Sequence, residues 1–173
     1  GRPNGADSRS LSCCIIGMGT LPVQCIEILL SRGHRVAGVL SDDDELLDWV
    51  RRHGLDCART SDGVMPFLAG RSFDYLFSIQ NMHLLTPEEL STPQELAINY
   101  HDGPLPRYAG THATSWALLN RERSHGVSWH VVTTTVDGGD ILAQRIFELT
   151  SDETALSLNA RCYAAAVDSF GHL

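Results

Sequence analysis

Three side chains in two stretches of this sequence are of types that together could transfer an acyl group. The first stretch reads Ala97-Ile98-Asn99-Tyr100-His101-Asp102-Gly103-Pro104-Leu105-Pro106-Arg107-Tyr108-Ala109-Gly110, and the second Val136-Asp137-Gly138-Gly139-Asp140. An amide (Asn99), an imidazole (His101) and a carboxylate (Asp137) brought together could stabilise an oxyanion and move protons away from an attacking amine. Movement of a one-carbon acyl group to an amine needs that set. Asn99 and His101 are two apart, so on an extended strand both face one side and Tyr100 faces the other. Taken singly, each residue has a plainer reading: Asn99 a turn residue, His101 a surface histidine, Asp137 the start of a hairpin turn. The chemical reading rests on their combination. The proline-rich loop after His101 would be stiff and shield that side from water, with the bond before Pro106 open to a cis geometry. Gly138 and Gly139 would let backbone amides approach a ligand closely.

These residues need a scaffold, and the pattern around them alternates strand-like and helix-like segments. Residues 11–16 are a short apolar run ending at Gly17-Met18-Gly19, after which Leu21, Cys25, Ile28 and Leu29 share a helical face until Gly33. Residues 35–40 read as a second strand. Asp42, Asp43 and Asp44 open a helix that closes on Arg51, Arg52 and His53, charges that complement its dipole and argue against an acidic metal site. Residues 61–70 suggest another short helix, and residues 73–79 and 95–100 further buried strands, with turns at Thr86-Pro87 and Thr92-Pro93. Residues 111–120 have helical spacing through Trp116, Leu119 and Asn120, residues 126–135 are β-rich, and residues 141–149 alternate like an exposed edge strand. Thr150-x-x-Glu153 has the form of a capping box opening a last helix, with Leu158, Cys162 and Ala165 on one face. The predicted architecture is α/β, a doubly wound and mostly parallel sheet in a single domain. In such sheets ligands bind beyond the carboxyl ends of the strands, where Asn99 and His101 fall.

Composition narrows the function classes. With 173 residues and 43% hydrophobic content the chain suits one well-buried core. Thirteen Lys plus Arg against 21 Asp plus Glu give a formal charge of −8 with no basic run, which disfavours nucleic acid as a partner. No apolar run approaches the length of a membrane span, and a soluble, cytoplasmic protein is expected. The five cysteines form no Cys-x-x-Cys pair and mostly lie in apolar stretches, which predicts buried free thiols and no metal site. Residues 1–10, rich in Gly, Pro, Asn and Ser, read as a linker or an expression remnant, leaving residues 11–173 as the domain. Gly17-x-Gly19 tempts a dinucleotide reading, but Pro22 stands where the third glycine belongs.

Asn-x-His, then Pro-Leu-Pro-x-Tyr-x-Gly, then Asp-x-Gly-Asp at the observed separation resembles the 10-formyltetrahydrofolate-dependent formyltransferase family. That family includes methionyl-tRNA, glycinamide ribonucleotide and amino-sugar formyltransferases and formyltetrahydrofolate hydrolases. The tract from Asn99 to Asn120 most resembles formylation domains of nonribosomal peptide synthetases. The resemblance implies a Rossmann-like formyltransferase fold, 10-formyltetrahydrofolate as co-substrate, and Asn99, His101 and Asp137 as the catalytic amide, imidazole and carboxylate. It assigns Ser78, Ile79, Gln80, Asn81, Met82, His83, Leu84 and Leu85, with Gly138, Gly139 and Asp140, to the pterin side. Gly103 departs from a frequent serine and Ala109 from a frequent arginine, which leaves the acceptor open.

By the same resemblance, Asn99 and His101 would donate to the oxyanion formed when the amine attacks, and Asp137 would orient the His101 ring. The expected acceptor is an aminoacyl group on a peptide-synthetase carrier protein. An amino-sugar nucleotide, another small amine, or water in a hydrolase are the alternatives. Transfer-RNA acceptors go with added basic surface that this acidic chain lacks. Glycinamide ribonucleotide enzymes carry a phosphate-cradling Gly-x-Gly-Ser/Thr-Asn turn, and here Leu21 follows Gly17-Met18-Gly19-Thr20.

Overall fold

A computed structural model describes residues 9–134 and 138–173. The first strand is β1 (Ser12–Gly17), followed by α1 (Leu21–Ser31), β2 (Arg35–Leu40), α2 (Asp44–Arg52) and the two-residue β3 (Cys57–Ala58). A 3-10 turn at Thr60–Asp62 leads to α3 (Val64–Leu68), β4 (Tyr75–Ile79), α4 (Pro87–Leu90) and β5 (Leu96–His101). After the proline loop come α5 (Ala113–Leu119), β6 (Ser124–Val131), β7 (Ile141–Glu148) and α6 (Ala155–Phe170). The sheet order is β3-β2-β1-β4-β5-β6-β7. Its first five strands are parallel, and β6 and β7 join antiparallel at the far edge. The expected α/β sheet is the observed one, and residues 141–149 do supply the edge strand.

Local chemistry explains most boundaries. Asp43 caps α2 by accepting from the Glu45 and Leu46 amides, with Arg51 and Arg52 in the last turn. Thr86 and Glu89 close a capping box on α4. The box on α6 is formed by Thr154 and Ser157, four residues beyond the expected Thr150 and Glu153. Glu153 lies just before the helix, where its carboxylate takes Ser157 Oγ and pairs with Arg161. The helix expected over residues 61–70 is split by Gly63, whose φ of 112° no helix accommodates. In α5 the buried positions are Ala113 and Ala117, while Trp116 and Leu119 are exposed, so helical spacing found the element but not its inner face. The β-rich run expected at residues 126–135 begins earlier and ends at Val131.

Two apolar layers hold the sheet. One side packs α1, α2 and α6 over Ile15, Val39, Phe77, Tyr100, Val127 and Trp129. Trp129 lies against Tyr100 and Phe170 at centroid distances of 5.2 and 5.1 Å, and its Nε1 donates to Ser169 Oγ at 2.9 Å. The other side packs α3 over Cys14, Ile16, Leu40, Leu76 and Ala97. Cys13, Cys14, Cys25 and Cys162 are buried free thiols and Cys57 is half-buried. Burial pushes the Cys13, Cys14 and Cys162 thiols up to about 12, which makes them inert packing groups. Of the linker-like tract, Arg9 and Ser10 are described, and Ser10 Oγ donates to Gly33 O at 2.8 Å. Among the described residues no helix is long and apolar enough to cross a membrane.

Where β1 ends beside β4, Gly17 opposite Ile79, a side chain has no room. A Cβ on Gly17 would stand 1.8 Å from the Ile79 carbonyl oxygen. Gly17→Ala is therefore expected to destabilise the fold by about 3 kcal/mol or more, because the obstacle is backbone and cannot swing aside. Chemical denaturation of the variant beside the parent chain measures this loss.

Candidate active site

Asn99 and His101 end β5 on one face of the sheet, and Tyr100 enters the apolar layer on the other. The period of two predicted that division. Register then brings partners across: Asn99 stands opposite His130 and His101 opposite Ser128 on antiparallel β6, while parallel β4 sets Ser78 beside Asn99. Asn99 Nδ2 donates to His130 Nε2 at 3.1 Å and to Tyr100 O at 2.9 Å. His130 Nδ1 lies 3.1 Å from Val131 O. A carbonyl only accepts, so Nδ1 carries the proton and Nε2 offers the lone pair that Asn99 uses. The same rule fixes His101, whose Nε2 lies 2.6 Å from Tyr108 O and must therefore carry a proton.

The loop from Asp102 to Arg107 returns the chain to that contact. It contains a cis peptide bond between Leu105 and Pro106, and Tyr108 adopts a left-handed φ of 58°. Gly103 packs so closely on the ring that a Cβ there would meet His101 Nε2 at 2.8 Å and Tyr108 O at 3.1 Å. A serine at this position would displace the imidazole unless the loop moved. The outer wall is polar: Tyr108 Oη and an Arg107 guanidinium nitrogen each donate to Glu122 Oε1 at 2.6 Å. Those two donors hold the Glu122 carboxyl below the usual carboxylate range.

Beyond the carboxyl ends of β1, β2 and β4, a cleft of about 290 Å³ is lined by Gly17, Met18, Asp42, Thr60, Ser61, Asn81, Met82 and His83. Part of the expected pterin segment thus forms one wall. Within it Asn81 donates to Ser78 Oγ at 3.1 Å and to His83 O at 2.8 Å, and accepts from His83 N at 2.9 Å. Ile79 is buried at the end of β4, Gln80 turns the chain with φ 52°, and Leu85 packs on the α3 layer. Met82 and Leu84 stand 84% and 80% exposed, an uncovered apolar surface. His83 Nε2 pairs with the buried Glu89 carboxylate at 2.8 Å. On the opposite wall the Ser61 amide donates to Asp42 Oδ1 at 3.0 Å, and behind it the Gly19 amide donates to Asp43 Oδ2 at 2.8 Å. The Ser61 donors hold Asp42 below the usual carboxylate range, so this wall is anionic.

The second stretch is described in part. Asp140 O accepts from Val131 N at 2.8 Å, and a Cβ on Gly139 would stand 1.8 Å from Val131 O, so the glycine is required for the loop to leave β6. Gly138 is exposed. Asp137 lies outside the described residues.

Several neighbours went unnoticed in the sequence. Ser128 and His130 alternate along β6, a signal that becomes readable only once β6 is known to pair with β5. His125 is fully buried, and its Nε2 donates to Asp102 O at 2.8 Å. Its Nδ1 has no hydrogen-bond partner among the described residues. Desolvation in that position pulls the imidazole below its ordinary value of 6.5.

Residues 67–170 match the family model described as Formyl transferase. The fold is similar to glycinamide ribonucleotide transformylase 1 from Symbiobacterium toebii, with a TM-score of 0.85 and 23% identity over 94% of this chain and 85% of that one. It is also similar to phosphoribosylglycinamide formyltransferase from Bacillus halodurans, with a TM-score of 0.83 and 21% identity over 93% of each chain. A formyltetrahydrofolate deformylase from Pseudomonas syringae pv. tomato gives a TM-score of 0.83 and 17% identity, covering 95% of this chain and 60% of that one. At these identities the likeness is one of fold.

The buried His125 gives the site a pH dependence. Its folded pKa is depressed, so below the ordinary imidazole value the unfolded chain binds the extra proton. The stability it contributes is complete above that value and is lost as pH falls through the folded one. Thermal melts from about pH 7.5 to about pH 5 should show this decline, and His125→Gln, which keeps a donor for Asp102 O without titrating, should flatten it.

Proposed function

We propose that this chain, which belongs to the formyl transferase family, moves a formyl group to a primary amine presented as an aminoacyl group on a carrier protein. The observation that carries the reading is the pairing of Asn99 and His101 on one face at the carboxyl end of β5, Asn99 held by His130 on β6 and His101 by the Tyr108 carbonyl of the loop. The family's formyl donor is 10-formyltetrahydrofolate, which supplies a formyl carbon activated through N10. The uncovered Met82 and Leu84 fit a flat ring system, and the ordered backbone of the Asn81 turn fits hydrogen bonding along its edge.

Each residue then has a physical task. His101 presents a proton on Nε2, with Tyr108 O as its acceptor in the free chain, and the developing oxyanion takes that acceptor's place. Asn99 Nδ2 has both hydrogens engaged, so its donation to the oxyanion exchanges the bond to Tyr100 O while His130 keeps the amide in position. Asp137, which the resemblance pairs with His101, orients the ring and takes part in moving protons from the attacking amine. Gly138, Gly139 and Asp140 bring backbone close to the donor's ring system.

The cleft supports the choice of acceptor. Among its lining residues there is no Lys or Arg, and the turn amide of Gly19 is already occupied by Asp43. A phosphate at this place would face the Asp42 carboxylate, and the neighbouring Arg59 is already paired with Asp44. A neutral or cationic amine-bearing group meets no such opposition, which favours an aminoacyl acceptor over a phosphorylated one.

The reading is tested by mass spectrometry of acceptors incubated with 10-formyltetrahydrofolate. The aminoacyl carrier protein should gain about 28 Da, while phosphorylated amines and sugar nucleotides should not. Formate release without an acceptor would instead mark a hydrolase. His101→Ala and Asn99→Ala should each lower turnover by roughly 10²-fold, and near-normal activity of His101→Ala would end the assignment.

A further inference from the structure

We propose that Gln144, Ser128 and His125 are positioning residues that clamp the backbone of the loop after β5 and thereby hold the Nε2 proton of His101 in place. The inference rests on the reading of His101 as a catalytic donor. It begins from register: His101 stands opposite Ser128 on β6, and Ser128 opposite Gln144 on β7, so three strands contribute to one transverse row.

Three carbonyl oxygens of the loop each receive a side-chain donor, two from that row and one from His125 farther along β6. Asp102 O takes His125 Nε2–H at 2.8 Å, Gly103 O takes Ser128 Oγ–H at 2.7 Å, and Leu105 O takes Gln144 Nε2–H at 2.8 Å. Ser128 Oγ in turn accepts from Leu105 N at 3.1 Å and from Gln144 Nε2 at 2.9 Å. The bookkeeping of donors closes. The serine hydroxyl gives its single hydrogen and receives at both lone pairs, and the amide of Gln144 gives both of its hydrogens. No rotation of either group satisfies the same set, so the network has one direction and one loop geometry.

That geometry ends on the ring. The clamped loop places Gly103 against His101 Nε2 and delivers Tyr108 O to it at 2.6 Å. The three positioning residues do not touch His101 through this network; they determine where its acceptor and its nearest backbone stand. Gln144 is the informative member because it sits on an edge strand whose exterior is open, where an apolar replacement does not disturb the core. A reacting group displaced by about 1 Å loses on the order of 10²-fold in rate, so the chemistry demands that the loop be held.

The test is proton NMR of the chain labelled with ¹⁵N-histidine. The parent chain should show a downfield, slowly exchanging Nε2–H resonance that disappears in His101→Gln, which assigns it. In Gln144→Leu and Ser128→Ala that resonance should broaden into solvent exchange, and Ser128→Thr, which keeps the hydroxyl, should restore it. Ser169→Ala provides the comparison, because it removes another buried hydroxyl, the acceptor of Trp129 Nε1, which makes no hydrogen bond to the loop. It should lower stability and leave the His101 signal unchanged. Turnover of aminoacyl carrier protein by Gln144→Leu should fall about 10-fold or more, with KM for 10-formyltetrahydrofolate nearly constant. An unchanged Nε2–H signal in Gln144→Leu and Ser128→Ala, or an equal change in Ser169→Ala, overturns the clamp. A broadened signal with undiminished formyl transfer would uphold the clamp and overturn the reading of His101.

Discussion

The antiparallel return of β6 along β5 is the constraint on which the site depends. It sets His130 against Asn99 and Ser128 against His101, so the two side chains at the end of β5 meet fixed partners. Because side chains alternate with a period of two, a slip of one residue would carry Trp129 out of the core and put His130 into it. Trp129 is fully buried between Tyr100 and Phe170, and that burial makes the register costly to lose. Fully burying a large apolar side chain contributes about 1.5–3 kcal/mol, so the packing under α6 and the polar row above it stabilise one and the same alignment. The tryptophan on one face thereby determines the hydrogen bonds available on the other.

The parallel half of the sheet does different work. It ends β1, β2 and β4 on one side and opens the cleft there, as the doubly wound topology requires. A helix N-terminus after β1 would ordinarily invite an anion. In this chain Asp43 reaches from the cap of α2 to the Gly19 amide, so a carboxylate supplied by the protein fills that role. Asp42, held ionised by Ser61, adds to the same wall. The acidity seen as a net charge of −8 therefore has a local expression at the carboxyl ends of β1 and β2.

Close backbone approach recurs wherever the chain turns near the site. Gly17 passes the Ile79 carbonyl, Gly103 passes the His101 ring, and Gly139 passes the Val131 carbonyl, each with less room than a methyl group needs. At Gly17 and Gly139 the neighbour is backbone. At Gly103 it is the imidazole, itself tied to Tyr108 O, so the loop and the ring constrain each other. At Gly103, where the resemblance expects serine, the ring occupies the space that a side chain would use.

Local patterns in the sequence determined the elements. Period-two alternation placed Asn99 and His101 on one face, apolar runs marked the parallel strands, and the Asp and Arg clusters marked the two ends of α2, because each of these depends on neighbours within a few residues. Motif spacing alone pointed to the family and to Asn99, His101 and Asp137. The first cap of α6 was misjudged because Thr150 and Thr154 carry the same capping chemistry, and the choice between them rests on where Arg161 and Ser157 draw Glu153. The two-residue β3 escaped notice because so short a strand exists only through its partner β2. Tertiary structure alone decided the partners: His130 for Asn99, the Tyr108 carbonyl for His101, the row of Ser128 and Gln144, and the carboxylate at Gly19. Each of these joins residues from different elements, and a hydrogen bond is directional over about 3 Å, so it is set by strand register and loop path, which no local pattern encodes.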